Sequence, residues 1–226
     1  MNDRQALILE VIIREYIKTG VPVSSHALVD NYDLDISSAT VRNEMAELER
    51  LGLIVQPHTS AGRVPTEAAY KWYISKLNEQ KVSPREAKVL ADRLPSPADN
   101  DFKKAAKDLA ELSGLAVFWA NDQGNVYYTG LANLLSQPDF IDNDLLYDLS
   151  AVFDSLDEIV EAYFDKIADQ PLILIGSDGP FGNFCSSILV KYKNGEQAGA
   201  LGILGPLRMD YGRNLSLLNY IHNRLI

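Results

Sequence analysis

Residues 38–43 and 58–63 carry the groups in this chain best suited to chemistry, and that chemistry is recognition of a phosphate polymer. The first run, SATVRN, sets two hydroxyls, Ser38 and Thr40, ahead of Arg42 and Asn43. Small hydroxyl side chains approach backbone phosphates closely, an arginine can bond a guanine edge through two hydrogen bonds, and an asparagine can do the same for adenine. The second run, HTSAGR, gathers His58, Thr59, Ser60 and Arg63 around Gly62, with Pro57 and Pro65 on either side. Its hydroxyls suit phosphate oxygens, Arg63 suits a minor groove or the sugar–phosphate backbone, and Gly62 permits a positive φ at the turn. The two prolines stiffen the loop, so less entropy is lost on docking. His58 belongs to the run by position; taken alone, a histidine beside a turn reads as packed or solvated.

Such groups need elements that hold them. Residues 4–19 place Leu7, Ile8, Val11, Ile12 and Tyr16 at helical spacing, with Gly20 as a stop. Pro22 breaks the chain, and Ser24 or Ser25 can cap a short helix to about Asn31. Residues 37–52 then set Val41, Met45, Leu48 and Leu51 on one apolar face, with Ser37 or Ser38 as cap and Gly52 past the end. LIVQ suits a short strand, Arg63-Val64 can pair back against it, and Thr66 caps a further helix. Helix, helix, helix, two-stranded ribbon, helix is the order of a winged helix-turn-helix, whose third helix enters the major groove of DNA with its N-terminal residues near the base edges. On that helix the residues one turn beyond Arg42 are Met45 and Ala46, so no acid stands there to pair with it, and Glu49 is two turns away.

The charge balance limits how DNA could be held. The formal net charge is −10; residues 1–75 carry about 7 basic and 10 acidic side chains, and residues 114–226 about 6 and 14. Neither half can bind nucleic acid through bulk positive charge, so affinity must rest on a few well-aimed groups. Other chemistry finds little support. The single cysteine, Cys185, leaves no internal disulfide framework or multi-cysteine metal site and reads as a small buried residue. The three histidines show no metal spacing, and Gly176-Ser-Asp-Gly-Pro lacks the lysine of a phosphate loop. We therefore expect no enzyme, no cofactor and no metal. No apolar run is long enough to span a bilayer, and the N-terminus lacks the features of a signal peptide, so a cytoplasmic location is expected.

The run PVSSHALVDNYDLDISSATVRNEMAELERLGLIVQPHTSAGRVPTEAAY closely resembles the N-terminal domain of the heat-inducible transcription repressor HrcA family. The family's wing looks the same at His-Thr-Ser-Ala-Gly-Arg, and its recognition helix is similar at Ser-x-Ala-Thr-x-Arg-Asn. TGLANLLSQPDF and AGALGILGPLRMDYGRNLSLLNYI resemble the family's C-terminal segments, including Gly205, Pro206, Arg208, Met209, Asp210 and Tyr211. We assign those six a structural role at a strand-to-helix corner, with Asp210 near a helix N-terminus. The resemblance implies a repressor that binds an inverted-repeat operator upstream of chaperone genes as a homodimer, is inactivated by heat and is restored with help from a chaperonin.

The remaining chain fits that picture. Residues 76–100 read as a helical linker, with a helix from about Ser83 to Arg93. An amphipathic helix follows at 101–114. Strands are expected at 115–120, 126–131, 171–176, 186–192 and 198–205, the last two joined across Asn194-Gly195, and one broad helix over 142–165. The C-terminal helix should run from about Tyr211 to Leu225. The fold class is thus α+β: a winged helix-turn-helix over 1–75, the linker, and a reduced GAF-like α/β domain over 101–226. Members of the family are longer, with an inserted dimerising region between the counterparts of LAVFWA and VYYTGL, where only the turn NDQGN stands here. A second function remains open on these grounds, a winged-helix regulator that uses its GAF-like domain to sense a small molecule. A third is an enzyme or chaperone-interaction protein that has kept a vestigial winged helix.

Overall fold

The computed structural model describes the chain except residues 33–35, 59–60, 78–79, 93, 95–101, 122–124, 141–142, 195–196 and 226. It divides into two compact units, Met1–Leu77 and Asn78–Ile226.

In the first unit, α1 (Asp3–Thr19) starts at a capping box. The Asn2 side chain accepts from the Gln5 backbone and Gln5 returns a bond to Asn2, and Gly20 closes the helix in the left-handed region at φ 66°. The Ser24 side chain caps α2 (Ser25–Asn31), and the Ser37 side chain caps α3 (Ser38–Arg50), each contributing roughly 1 kcal/mol to its helix. After Gly52 the chain forms β1 (Ile54–Val55), returns as β2 (Val64–Pro65), and enters α4 (Glu67–Ile74) capped by Thr66. The ribbon pairs Ile54 with Pro65 and Val55 with Val64, and a single bridge from Val23 to Arg63 ties it to the link between α1 and α2. Ile8, Leu9, Ile12, Leu28, Val41, Leu48, Ile54 and Tyr70 are all buried, whereas Leu7 and Leu51, which spacing placed on the apolar faces of α1 and α3, are exposed.

The second unit is built on a five-stranded antiparallel sheet of β3 (Ala116–Asn121), β4 (Val126–Thr129), β5 (Leu172–Ile175), β6 (Cys185–Asn194) and β7 (Gln197–Pro206), in the order β4-β3-β7-β6-β5. The sheet alternates as period two demands. Phe118, Ala120, Leu189, Ala200 and Leu204 meet α7 (Leu131–Leu135), α8 (Asn143–Asp154) and α9 (Leu156–Tyr163) through Leu134, Leu149, Phe153, Leu156 and Val160. The other set, including Val117, Trp119, Val190 and Leu201, is also buried, and here α6 (Lys103–Ser113) packs on β3 and α10 (Tyr211–Leu225) on β6. Gly202 stands opposite Phe118 in the ladder, and a Cβ there would fall 2.1 Å from the Phe118 ring. The ring lies in the space a side chain would have taken.

Two expectations need correction. The stretch 76–100 is not wholly a linker: α5 (Pro84–Ala91) folds into the second unit. Glu86 pairs with Arg213 at 2.9 Å, the Tyr220 hydroxyl donates to the Ala87 carbonyl at 2.8 Å, and Leu90 is fully buried. These partners lie more than a hundred residues downstream, beyond the reach of local reading. The broad helix over 142–165 is two helices, broken at Ser155 with φ −111° and ψ 19°. A straight helix of that length would run ~36 Å, while five strands are about 20 Å wide, so an unbroken rod would carry part of its apolar face past the sheet. The turn NDQGN falls largely on residues outside the described ones, but its ends are held, with the Asn121 backbone donating to the Asn125 carbonyl at 3.0 Å.

His222, on α10, is buried, with its Nε2 unpartnered among the described residues. Burial pushes its imidazole below the ordinary value of 6.5, while Asp169 and a hydrogen bond to the Lys191 backbone act the other way. The unfolded chain therefore takes up the proton more readily, so stability is lost as the pH falls below about 6.5. Urea titrations followed by Trp119 fluorescence, in a Trp72→Phe background, should show a midpoint that falls on acidification through that range. The fall should be smaller in His222→Asn; an equal fall would assign it to other groups.

Candidate nucleic-acid interface

The recognition helix is fixed before its exposed face can matter. On the buried side of α3, Glu44 receives Arg4 Nε at 2.7 Å and Gln5 Nε2 at 3.1 Å, both from the first turn of α1. An almost fully buried carboxylate is costly unless paired, and these bonds tie the first half of α3 to α1. Glu49, one turn further on, accepts from Arg63 Nε at 3.1 Å and lies 3.0 Å from its Nη2, which ties the second half to the wing.

The solvent face that remains carries Ala39, Arg42, Asn43, Ala46, Glu47 and Arg50 at three- and four-residue steps. Glu47 and Arg50 pair with each other at 2.8 Å. Arg42 and Asn43 are exposed and hold no partner among the described residues. Ala39 and Ala46 flank them, and sequence reasoning passed over both. Small side chains beside Arg42 and Asn43 leave room for a helix to sit deep in a groove, and an exposed alanine can meet a thymine methyl. The signal was present in the sequence as alanines a turn either side of the readers, on the face opposite Val41 and Leu48.

The hydroxyls serve the fold more than expected. Ser38 Oγ lies 3.3 Å from Ser25 Oγ, a contact between α2 and α3 inside the helix-turn-helix. Thr40 Oγ1 is 3.0 Å from Ser37 Oγ, the group that caps the helix. Both sit beside the recognition face, half-buried.

In the wing, His58 is exposed, and its carbonyl accepts from the Ala61 backbone at 2.9 Å. Gln56 Nε2 reaches the Ala61 carbonyl at 3.1 Å and braces the loop from its base. Thr59 and Ser60 lie outside the described residues. Gly62 is needed for a reason other than the one expected: its φ is not positive. A Cβ there would stand 2.5 Å from the backbone carbon and oxygen of Val23 and 2.6 Å from the Pro22 carbonyl. Close approach of two main chains, rather than a left-handed turn, excludes a side chain. The neighbouring Arg63 exchanges both backbone hydrogen bonds with Val23, at 2.9 and 2.8 Å. Its guanidinium meets Glu49 and its side chain is 23% exposed, so it is not a free cation at the loop tip.

In the second unit the six-residue signature behaves as a corner. Asp210 Oδ1 accepts from the Arg213 backbone at 3.0 Å at the start of α10. Arg208 bonds both oxygens of Asp139 at 2.8 and 3.0 Å, and Tyr211 and Ser186 hydroxyls lie 2.8 Å apart. Burial pushes the Cys185 thiol up to about 12, so it stays a neutral packed group. Among the described residues no helix is long and apolar enough to cross a membrane.

Replacing Gly62 by alanine should cost about 1–3 kcal/mol through forced separation of the wing from Val23. The check is thermal unfolding of the Gly62→Ala protein; an unchanged midpoint would mean that the backbone yields freely.

Family models match both parts of the chain. The family model described as "Winged helix-turn-helix transcription repressor, HrcA DNA-binding" matches residues 1–80, and that of the "HrcA protein C terminal domain" matches residues 68–215. The heat-inducible transcription repressor HrcA of Natranaerobius thermophilus is 25% identical over 331 aligned positions, covering 100% of this chain and 96% of the relative. That alignment is longer than the 226 residues available here, so the relative carries sequence with no counterpart in this chain. The protein of the same name from Lachnoclostridium phytofermentans is 48% identical over 99 residues, covering 44% of this chain and 28% of its own. A crystal structure of a hypothetical protein superposes with a TM-score of 0.81 at 22% identity, covering 100% of this chain and 97% of the other, a likeness of fold.

Proposed function

Since the chain belongs to the HrcA family of winged-helix transcription repressors, we propose that it represses heat-shock genes by seating α3 in the major groove of an inverted-repeat operator, with the wing against the adjoining backbone. The observation that carries this reading is the exposed pair Arg42 and Asn43, unpartnered among the described residues and set between two small residues on an otherwise clamped helix. Ser38, Thr40, His58, Thr59, Ser60, Gly62 and Arg63 complete the contact region. The hydroxyls and Arg63 serve phosphates, and Gly62 serves the shape of the wing.

An inverted repeat presents two half-sites, so the binding species is a homodimer whose two recognition helices are related by the operator's own symmetry. The relatives' name, heat-inducible transcription repressor, supports release from DNA on heating; help from a chaperonin in recovery rests on the family resemblance alone. A protein of net charge −10 gains little from non-specific attraction to DNA, so base readout has to supply a large share of the discrimination. No DNA chemistry is performed; binding alone blocks transcription.

Selection of DNA from a random pool, with the mass of the bound complex measured alongside, should return a palindromic site holding two protomers. A single half-site with one protomer would overturn the dimer. On the selected duplex, Arg42→Ala and Asn43→Ala should each weaken binding by about 1–3 kcal/mol, roughly ten- to a hundredfold, in a titration at fixed salt. Binding indifferent to both changes would remove α3 as the reading element.

A further inference from the structure

Three features of the wing are hard to reconcile with a simple phosphate hook. Its arginine is already paired, the partner belongs to the recognition helix, and the main chain beneath it is pinned. Arg63 meets Glu49 through Nε and Nη2, both on the same carboxylate oxygen, at 3.1 and 3.0 Å. Because Val23 holds the Arg63 backbone on both its N–H and its carbonyl, only the side chain is free to move. The pair is partly open, with side-chain exposures of 23% and 35%, so solvent and an incoming anion can reach it.

We propose that Glu49 is a specificity-determining residue: it acts as an internal stand-in for phosphate and withholds Arg63 from DNA until α3 is seated in its proper site. A partly exposed pair of this kind is weak and exchangeable, and a phosphate oxygen offers the guanidinium a bond of equal type. On a duplex that α3 does not fit, the wing stays clear of the backbone and Arg63 keeps its carboxylate. On the operator, docking of α3 presses the wing onto the backbone, and the guanidinium transfers from Glu49 to a phosphate. Non-specific duplex is thereby denied one cation that the operator receives. This inference deepens the reading of α3 and the wing as the DNA-binding elements and rests on it.

Glu49→Gln and Glu49→Ala proteins, compared with wild type on the selected operator and on poly(dI-dC), test it. Glu47→Gln, which removes an acid from the same helix and frees Arg50 in place of Arg63, sets the effect of losing an acid outside the wing. The Glu49 variants should tighten poly(dI-dC) binding about three- to tenfold more than Glu47→Gln does, with Glu49→Ala showing the larger change. The slope of log affinity against log salt on poly(dI-dC) should steepen by about one unit. Operator affinity should change less, so the ratio between the two duplexes falls. All of this should vanish in an Arg63→Ala background. Equal effects with and without Arg63, or Glu49 effects no larger than that of Glu47→Gln, would overturn the proposal. So would weaker poly(dI-dC) binding in the Glu49 variants, which would mark the pair as a brace. Arg42→Ala separates the layers: operator binding lost there with Glu49 inert sinks this inference alone, whereas binding retained there sinks the reading beneath it.

Discussion

The wing stands where it does because the main chain at Gly62 lies directly against the main chain at Pro22 and Val23. No side chain fits between them, and the adjoining Arg63 is stitched to Val23 by two backbone hydrogen bonds. That contact fixes the start of β2, hence the direction in which the Arg63 side chain leaves the ribbon, hence its meeting with Glu49. Glu49 is engaged by Arg63 and Glu47 by Arg50, which leaves Arg42 without an ion-pair partner among the described residues. A constraint between two backbones, well away from the readers themselves, thus shapes the charge pattern that a groove would meet.

The same economy runs through the first unit. It holds more acids than bases, yet several acids are turned to internal use: Glu10 with Arg14, Glu15 with Tyr32, Glu44 with Arg4 and Gln5, Glu47 with Arg50. Most of these pairs are exposed enough to add little stability on their own. Their larger effect is to place negative charge beside positive charge, so that the field at the recognition face comes from a few groups instead of from the total. Glu44 differs, being buried on the recognition helix and shared by two donors, and it makes α1 part of the reading apparatus.

The second unit holds its five strands in one antiparallel sheet. β3 and β4 pair in register from Val117 with Thr129 to Ala120 with Val126. Phe118 lying over Gly202, the Arg208–Asp139 pair and the Tyr211–Ser186 contact lock strands to the helices beside them. Cys185 and His222 are packing groups in this frame, each shifted by burial toward its neutral form.

The sequence by itself determined the element types of the first unit, the caps, the ribbon and the five strands. These follow from spacing and capping chemistry within a few residues, and Arg42 with Asn43 could be named from the helix they share. Tertiary structure alone decided which candidates stay available. Ser38 was drawn into the contact with Ser25, Arg63 into the pair with Glu49, and α5 into the second unit through Arg213 and Tyr220. Gly62 was marked correctly as special but for the wrong cause, since a left-handed turn and a close approach both exclude a Cβ and look alike in sequence. The reason is common to all four. A side chain's partner across the fold is set by where distant segments converge, and periodicity along the chain carries no record of that distance.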